Sequence, residues 1–222
     1  TVASDEIASA GLLGNPNFAF SPDSRFIGFA TGATNVAQVD TNGVEDLFLY
    51  DVTDQSVHVV SHVFGQNGTT GNAGPFGSPA GTGNGNRFSP NSRYLLFSSG
   101  SNNIAQSDAN GSVDQFIYDT ADGSVAPLTR AFGTAAATAD GIATTALWSP
   151  DSRYVYFISS ASNLVAPGVD TNADSDSFIY DTTDKSIHLV SHPVGSLTTA
   201  AGGLEFLAFS ADSRRILLQT PR

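Results

Sequence analysis

The sequence predicts an all-β fold in which one four-stranded antiparallel unit is repeated along the chain. A turn phrase of the type Phe-Ser-Pro-Asp-Ser-Arg occurs four times, beginning at positions 20, 88, 148 and 209. The chain has 18 Asp against 3 Glu, together with 22 Gly, which is typical of turns rather than of exposed helix faces. No segment sustains the 3.6-residue periodicity of an amphipathic helix. These observations favour short strands joined by turns.

Each strand corresponds to a run of Phe, Tyr, Ile and Val between turn residues. In the first unit, strand A runs from Asn17 to Phe20, and strand B from Arg25 to Ala30. Strand C then runs from Asp46 to Tyr50, and strand D from Ser56 to Ser61. The Ser-Pro-Asp-Ser phrase forms the A–B turn, because Pro presets the φ angle that a type I turn needs.

Three such meanders, followed by the first two strands of a fourth, predict a β-propeller with one blade for each unit. We expect blades over residues 17–62, 86–130 and 145–192, a partial blade over 204–220, and residues 1–4 as a candidate closing strand. Two arrangements stay open: part of a propeller of six to eight blades, or a four-bladed ring. An open flank would expose apolar surface, so cover by another chain also stays open.

Composition and charge exclude several function classes. The net charge is −12, which argues against nucleic acid and anionic membrane surfaces as partners. Cysteine is absent, which excludes disulfides, thiolate metal sites and cysteine nucleophiles. No apolar run approaches the length of a membrane-spanning helix. Because the chain also lacks methionine, we expect it to start inside a longer product.

The connections between the predicted strands differ in length on the two sides of the fold. The A–B and C–D turns are tight and share one face, whereas the B–C and D–A connections are long and share the other. Long loops on a rigid scaffold commonly carry binding sites. We therefore expect a protein or glycan ligand to dock on this long-loop face. The alternative is that the loops are tolerated insertions.

Each B–C loop contains the phrase Asp-x-Asn-x-x-x-Asp, and the third loop has a further Asp at position 5. This spacing of oxygen atoms resembles a calcium loop, although the Glu at position 12 of an EF-hand is missing. The alternative is an Asx turn, in which the first Asp caps its own loop. The candidate Ca²⁺ ligands are Asp40, Asn42, Asp46, Asp108, Asn110, Asp114, Asp170, Asn172, Asp174 and Asp176.

Other polar residues favour structural roles. The Arg of each A–B turn lies on the same face as the Asp that follows strand C, which predicts ion pairs within each of the first three units. The predicted pairs are Arg25 with Asp51, Arg93 with Asp119, and Arg153 with Asp181. His58 and His62 would lie about 13 Å apart along a strand, so we expect surface histidines rather than a metal pair. Asn67 begins an Asn-Gly-Thr sequon and is a glycosylation candidate.

The turn phrase, the Asp-Thr-Asn-Gly loop and the strand phrase Asp-x-Phe-(Ile/Leu)-Tyr-Asp together resemble the TolB-type β-propeller family, whose repeat centres on a Pro-Asp dipeptide. The stretch 160–165 ahead of Asp170 is similar to large secreted bacterial members. The resemblance covers nearly the whole chain and implies the propeller fold. The family scaffolds many binding roles and some enzymes. Peptidase relatives add an α/β-hydrolase domain, but Gly-x-Ser-x-Gly is absent from this sequence.

We therefore expect a non-catalytic binding or structural module, stabilised by Ca²⁺ and secreted or displayed on a prokaryotic cell surface. The location rests on the resemblance, the acidity and the calcium-like loops. One alternative is a subunit of an extracellular filament or surface assembly that neighbouring chains complete. Another is a glycan-cleaving hydrolase or lyase, with acid pairs formed across the loops.

Overall fold

A computed structural model describes residues 18–40, 42–76, 88–108, 110–172, 174–192 and 205–219. These residues form antiparallel sheets and include no helix. Consequently, none of the described segments is an apolar helix of membrane-spanning length. The candidate closing strand at residues 1–4 lies outside the described residues.

Three repeats each form a four-stranded antiparallel sheet, and the described part of a fourth repeat forms a two-stranded one. Strands that are neighbours in the sequence are neighbours in each sheet. Repeat 1 contains β1 (Phe18–Phe20), β2 (Phe26–Thr31), β3 (Asp46–Asp51) and β4 (Ser56–Val59). A linker hairpin follows, made of β5 (His62–Val63) and β6 (Gln66–Thr70).

Repeats 2 and 3 reproduce this order, and repeat 4 begins it again. Repeat 2 contains β7 (Pro75–Phe76), β8 (Tyr94–Ser99), β9 (Asp114–Asp119) and β10 (Val125–Pro127). Repeat 3 contains β11 (Ala143–Trp148), β12 (Tyr154–Ser159), β13 (Asp176–Asp181) and β14 (Ile187–Leu189). Repeat 4 contributes β15 (Glu205–Phe209) and β16 (Ile216–Gln219).

Successive sheets pack against one another through apolar side chains. We call the side of a sheet toward the preceding repeat its front face, and the side toward the following repeat its back face. The front face of repeat 2 carries Phe88, Leu95 and Phe97, which share a core cluster with Leu47 and Leu49 of repeat 1. The core therefore lies at the joints between sheets.

The next two joints are built in the same way. On the back face of repeat 2, Leu96 shares a cluster with Val155 and Phe157 of repeat 3. Tyr156, on the back face of repeat 3, packs against Phe206 of repeat 4 with ring centroids 4.7 Å apart. The all-β, propeller-like stacking that the repeats predict is therefore present in the described residues.

The connection between repeats 1 and 2 differs from the long loop that the sequence predicts. It contains the β5–β6 hairpin, and Pro75 and Phe76 already pair with Ser99 and Ser98. Phe88 rejoins the same edge opposite Leu95. Repeat 2 thus begins at Pro75, well before the predicted start at residue 86. The segment is rich in Gly and Asn, which predicts a loop, but its short strands form because they pair with neighbouring elements.

Candidate functional site

Each B–C loop brings two aspartates together on the long-loop side of its repeat. The first is the Asp that opens the loop phrase, and the second is the Asp that begins the third strand of the sheet. The second member is almost completely buried, with Asp46 0%, Asp114 1% and Asp176 1% exposed. We call these the carboxylate pairs: Asp40/Asp46, Asp108/Asp114 and Asp170/Asp176.

The pair in repeat 1 is embedded in an Asx turn. Asp40 Oδ1 accepts the N–H of Asn42 at 3.2 Å, and Asn42 Oδ1 accepts the N–H of Val44 at 2.8 Å. The Asn42 amide nitrogen donates to Asp46 Oδ2 at 2.9 Å and to the carbonyl of Gly71 at 2.6 Å. The amide group of Asn42 therefore shapes the loop and ties it to the linker. In this arrangement its nitrogen faces the buried carboxylate.

Repeat 2 has the same arrangement. Asn110 donates its N–H to Asp108 Oδ1 at 3.0 Å and its side-chain amide to the carbonyl of Ala139 at 2.6 Å. The main chain strengthens the link, because Ser107 forms a parallel bridge with Ala137, as Val39 does with Thr69 in repeat 1. Each of these two loops is thus bound to the linker that follows its own repeat, residues 60–74 after repeat 1 and residues 128–142 after repeat 2.

A hydroxyl group supports the buried member of every pair. Ser61 donates to Asp46 at 3.1 Å, Thr129 to Asp114 at 3.2 Å, and Ser191 to Asp176 at 2.6 Å. These hydroxyl residues were not among the predicted site residues. Their signal was present, since each follows its aspartate by 15 residues.

Two of the carboxylate pairs contain a buried oxygen without a hydrogen bond. Within the described residues, Asp108 Oδ2 and Asp170 Oδ1 are buried and have no partner. A buried charge without a partner is costly, so such a group binds either a proton or a cation. No three His, Cys, Asp or Glu side chains in the described ranges lie close enough to hold a metal together. Each pair therefore offers two carboxylates rather than three.

The third loop separates its predicted ligands. Asp170 is 8% exposed, and burial raises its pKa, with repulsion from Asp176 and Asp140 adding to the effect. Asp174 instead lies in solvent, and its N–H donates to Asn172 Oδ1 at 3.0 Å. Asp174 is not among the charges that raise the pKa of Asp170. The structure thus brings Asp170 and Asp176 together and leaves Asp174 outside the pair.

Burial also perturbs the other two pairs. It raises the pKa of Asp46 to about 6, with repulsion from Asp40 as a smaller cause. Burial raises the pKa of Asp114 to about 7, and the charge of Asp108 is the next cause. The ordinary value for both groups is 3.8. In these two pairs the buried carboxyl takes up a proton as the pH falls toward about 6 to 7, and a bound cation would neutralise the pair in place of that proton.

Acidification is expected to stabilise the chain when divalent cations are chelated. Because the folded-state pKa values of Asp46 and Asp114 lie above their unfolded value, the folded state takes up more protons between about pH 4 and about pH 7. Melting temperatures in EDTA should therefore rise as the pH falls through this window. At lower pH the trend reverses, because Arg25 lowers the pKa of Asp51 to about 2 and protonation breaks that pair.

Two variants separate this stabilisation by acid from the general effect of removing a negative charge. Asp114→Asn should flatten the pH dependence, whereas Asp122→Asn, an exposed aspartate on a tight turn, should preserve it. A melting temperature that falls steadily on acidification from about pH 8 to about pH 5 contradicts the assignment of raised pKa values to the pairs.

The predicted Arg–Asp partners lie side by side on the tight-turn face. The Nη2–Oδ2 distances are 2.7 Å for Arg25–Asp51 and 2.8 Å for both Arg93–Asp119 and Arg153–Asp181. Each Arg also donates through Nε to the same Asp, so two guanidinium nitrogens bind each carboxylate. These pairs join the A–B turn of each repeat to the end of its third strand.

The histidine expectation was wrong for His62. This side chain is 4% exposed, with Nδ1 2.9 Å from the Val63 carbonyl and Nε2 3.1 Å from the Gly123 carbonyl. The cause is that β4 ends at Val59, after which the linker turns inward toward repeat 2. His58 remains exposed on β4, and Asn67, the glycosylation candidate, is exposed on β6.

A cleft of about 730 Å³ lies between repeats 2 and 3 on the tight-turn face. Its lining includes Arg93, Arg153, Tyr180 and Lys185. Both arginines are already held in ion pairs within their own repeats. The cleft was not predictable from the sequence, because its walls come from two separate sheets. The two arginines of the cleft therefore stabilise their own repeats.

The chain matches no family model and no curated protein. Among solved structures, TolB from Acinetobacter baumannii is similar over 90% of this chain and 36% of its own, with 17% identity and a TM-score of 0.42. The putative TolB from Agrobacterium tumefaciens is similar over 79% of this chain and 46% of its own, with 14% identity and a TM-score of 0.43.

A third similar structure is dipeptidyl peptidase 4 from Porphyromonas gingivalis, with 14% identity and a TM-score of 0.45 over 82% of this chain. Only 26% of that protein is covered. The chain therefore spans less than half the length of each of these structures. TolB proteins, which the repeat phrases resemble, are among them. Identities of 14–17% and TM-scores of 0.42–0.45 carry no information about the function of this chain.

Proposed function

We propose that this chain is a non-catalytic binding or structural propeller module that works outside the cell and holds Ca²⁺ at its carboxylate pairs. The observation that carries the proposal is the buried oxygen without a hydrogen bond in two of the pairs, on Asp108 and on Asp170. A buried carboxylate oxygen in this state needs a positive partner. The same geometry recurs in successive repeats, always where a B–C loop meets the sheet.

The donor chemistry suits a hard cation. Each pair supplies two carboxylates, and the neighbouring side chains supply hydroxyl oxygens, as Ser61 does beside Asp46. Ca²⁺ prefers oxygen ligands and accepts irregular geometry, with water completing the shell. Asn42 and Asn110 would act by shaping the loops, since their amide nitrogens point toward Asp46 and Asp114. Two carboxylates per site give weak affinity, which suits the millimolar free Ca²⁺ outside cells.

The binding role follows from how the loops are held. The B–C loops and linkers of repeats 1 and 2 are clamped together by main-chain bridges and by the Asn amides. A rigid loop surface loses little conformational entropy when it binds a ligand. We therefore place a protein or glycan ligand on the long-loop face. We further propose that the repeats are blades of a propeller, either of six to eight blades or closed at four.

Calorimetric titration of the chelator-treated chain tests the calcium proposal. We expect Ca²⁺ to bind with a stoichiometry of about three and to release protons as it displaces them from the pairs. Asp108→Asn and Asp170→Asn should each remove one site. Asp122→Asn, which changes an exposed turn carboxylate, should leave the stoichiometry unchanged. No heat above dilution, or losses that are equal in all three variants, contradicts the proposal.

The glycan-cleaving alternative makes a different prediction. It requires turnover of a polysaccharide that Asp108→Asn abolishes while the fold is retained. Incubation with soluble glycans, followed by measurement of new reducing ends, distinguishes the glycan-cleaving alternative from the non-catalytic proposal. We expect no turnover and, for a binding role, retention on an immobilised ligand.

A further inference from the structure

Two cavities lie at the same place in successive joints, on the tight-turn face. The cavity between repeats 1 and 2 has a volume of about 270 Å³, whereas the cleft between repeats 2 and 3 has about 730 Å³. Corresponding residues line both, since His58 and Gly123 of the smaller cavity match Ala126 and Lys185 of the cleft. The difference in volume therefore comes from the residues that differ between the two joints.

An exchange on the fourth strand of repeat 2 makes room in the cleft. Repeats 1 and 3 carry a histidine on this strand, His58 and His188, and each ring nitrogen Nε2 lies 2.7 Å from the hydroxyl of the Ser two residues earlier. At the same register position repeat 2 has Ala126, which pairs with Ile117. Both of these residues line the cleft. Because a methyl group takes the place of an imidazole, this wall of the cleft is set back.

The linkers also differ between the two joints. Asn67 of the first linker forms part of the wall of the smaller cavity, and His62 lies with Nε2 3.1 Å from the Gly123 carbonyl. Among the described residues, none from the linker after repeat 2 lines the cleft. Arg130, which takes the position of His62, lies over the ring of Tyr180 instead, 5.4 Å from its centroid. The cleft is therefore open where the first joint is partly filled.

Three cationic side chains bring unused hydrogen-bond donors to the cleft. Arg93 and Arg153 bind their aspartates through Nε and Nη2, and Nη1 of neither donates to a described residue. Lys185 is the single lysine of the chain and makes no ion pair within the described residues. At its position repeat 1 has Gln55 and repeat 2 has Gly123, so this cation is specific to the cleft.

The charges that line the cleft cancel. Asp119, Asp122 and Asp151 line it together with the three cations. Hydrogen bonds from Ser124 lower the pKa of Asp122, so its carboxylate remains an acceptor at neutral pH. A site of balanced charge, in a chain of net charge −12, does not attract an anion. Donors and acceptors side by side suit a ligand whose groups both donate and accept, and hydroxyl groups do both.

We propose that the cleft between repeats 2 and 3 binds an uncharged saccharide. The free Nη1 groups of Arg93 and Arg153 and the ammonium of Lys185 donate to its hydroxyl oxygens. Asp122 accepts from its hydroxyl groups, and Ala126 leaves room for the ring. The volume lies within the range of small-molecule sites. Because ion pairs already hold both arginines, little side-chain entropy is lost on binding.

An array of immobilised neutral and sialylated oligosaccharides tests the proposal, followed by calorimetric titration of the strongest neutral binder. Ala126→His introduces the imidazole of repeats 1 and 3 into the cleft and should weaken binding about tenfold or more. Lys185→Gln introduces the residue of repeat 1 and removes a charged donor, with an expected loss of about tenfold. Both variants should keep the melting temperature, since the chain already holds His and Gln at these positions in other repeats.

His188→Ala is the matched control. It exchanges the same two residue types at the same strand position of repeat 3, where His188 is exposed and does not line the cleft. We expect its affinity for the saccharide to equal that of the unmodified chain.

Three outcomes overturn the proposal. The first is an array on which the chain binds no neutral oligosaccharide, and the second is binding confined to sialylated ones. The third is a folded Ala126→His variant that binds as tightly as the unmodified chain, which assigns the saccharide to the long-loop face. The cleft does not depend on Ca²⁺, so equal binding in EDTA and in CaCl₂ is expected. Failure of this proposal is therefore distinct from failure of the calcium proposal.

Discussion

Phe157→Ala is expected to lower the free energy of unfolding by about 3–5 kcal/mol. Phe157 is completely buried, and its ring stacks on Phe178 with centroids 5.5 Å apart. The same cluster includes Leu96 of the preceding repeat, so the ring fills the joint between two sheets. Truncation removes its apolar contacts and leaves a cavity that the two sheets cannot close without moving.

Phe132→Ala is the matched control for this prediction. It removes the same atoms from a side chain that is 58% exposed, so we expect a change within about 0.5 kcal/mol. Denaturant unfolding at a fixed Ca²⁺ concentration measures both. Equal effects of the two variants would contradict a continuous core that crosses the joint between repeats 2 and 3.

Calcium is expected to produce the second large effect, a rise in thermal stability that depends on the carboxylate pairs. A site with Kd of about 0.1 mM contributes about 1.4 kcal/mol at about 1 mM free Ca²⁺. Three such sites contribute about 4 kcal/mol, which corresponds to roughly 10 °C in melting temperature for a chain of this size. The physical cause is neutralisation of two neighbouring carboxylates that repel each other in each site, at least one of which is buried.

The third loop offers a variant and its control within a few residues. Asp170→Asn should reduce the calcium response, and in EDTA it should cost little stability because it also removes repulsion with Asp176. Asp174→Asn should leave the response intact, because Asp174 is exposed and outside the pair. Melting curves in EDTA and in CaCl₂ measure both. If Ca²⁺ raises the melting temperature of Asp170→Asn as much as that of the unmodified chain, these aspartates only form the turns and bind no Ca²⁺.

The strands were predictable because the sequence repeats them. The phrase around Phe48 recurs around Phe116 and Phe178, and each occurrence forms the third strand of a sheet. The linkers were not predictable in this way. The β5–β6 hairpin lies in a Gly- and Asn-rich segment, and Val39 forms its bridge with Thr69 from a different loop. Pairing of that kind depends on tertiary contacts that no local pattern encodes.

The candidate site was predictable in its residue types and not in its geometry. The spacing of Asp40 and Asp46 identified the pair, but it gave no indication that Asn42 would turn its amide nitrogen toward Asp46. The supporting hydroxyl of Ser61 lies across the sheet, in the linker. Packing sets the orientation of the Asn42 amide and the position of the Ser61 hydroxyl. Neither could therefore be predicted from the sequence.

The central claim is that the carboxylate pairs hold Ca²⁺ where each B–C loop meets its sheet. Anomalous difference maps from crystals grown in CaCl₂ test it most directly. We expect a peak between the two carboxylates of each pair, with the Asn side chains in their turn-forming positions. Maps without peaks at these positions, with the two carboxylates of each pair within hydrogen-bonding distance of each other, would contradict this proposal. The three positions to inspect are Asp40/Asp46, Asp108/Asp114 and Asp170/Asp176.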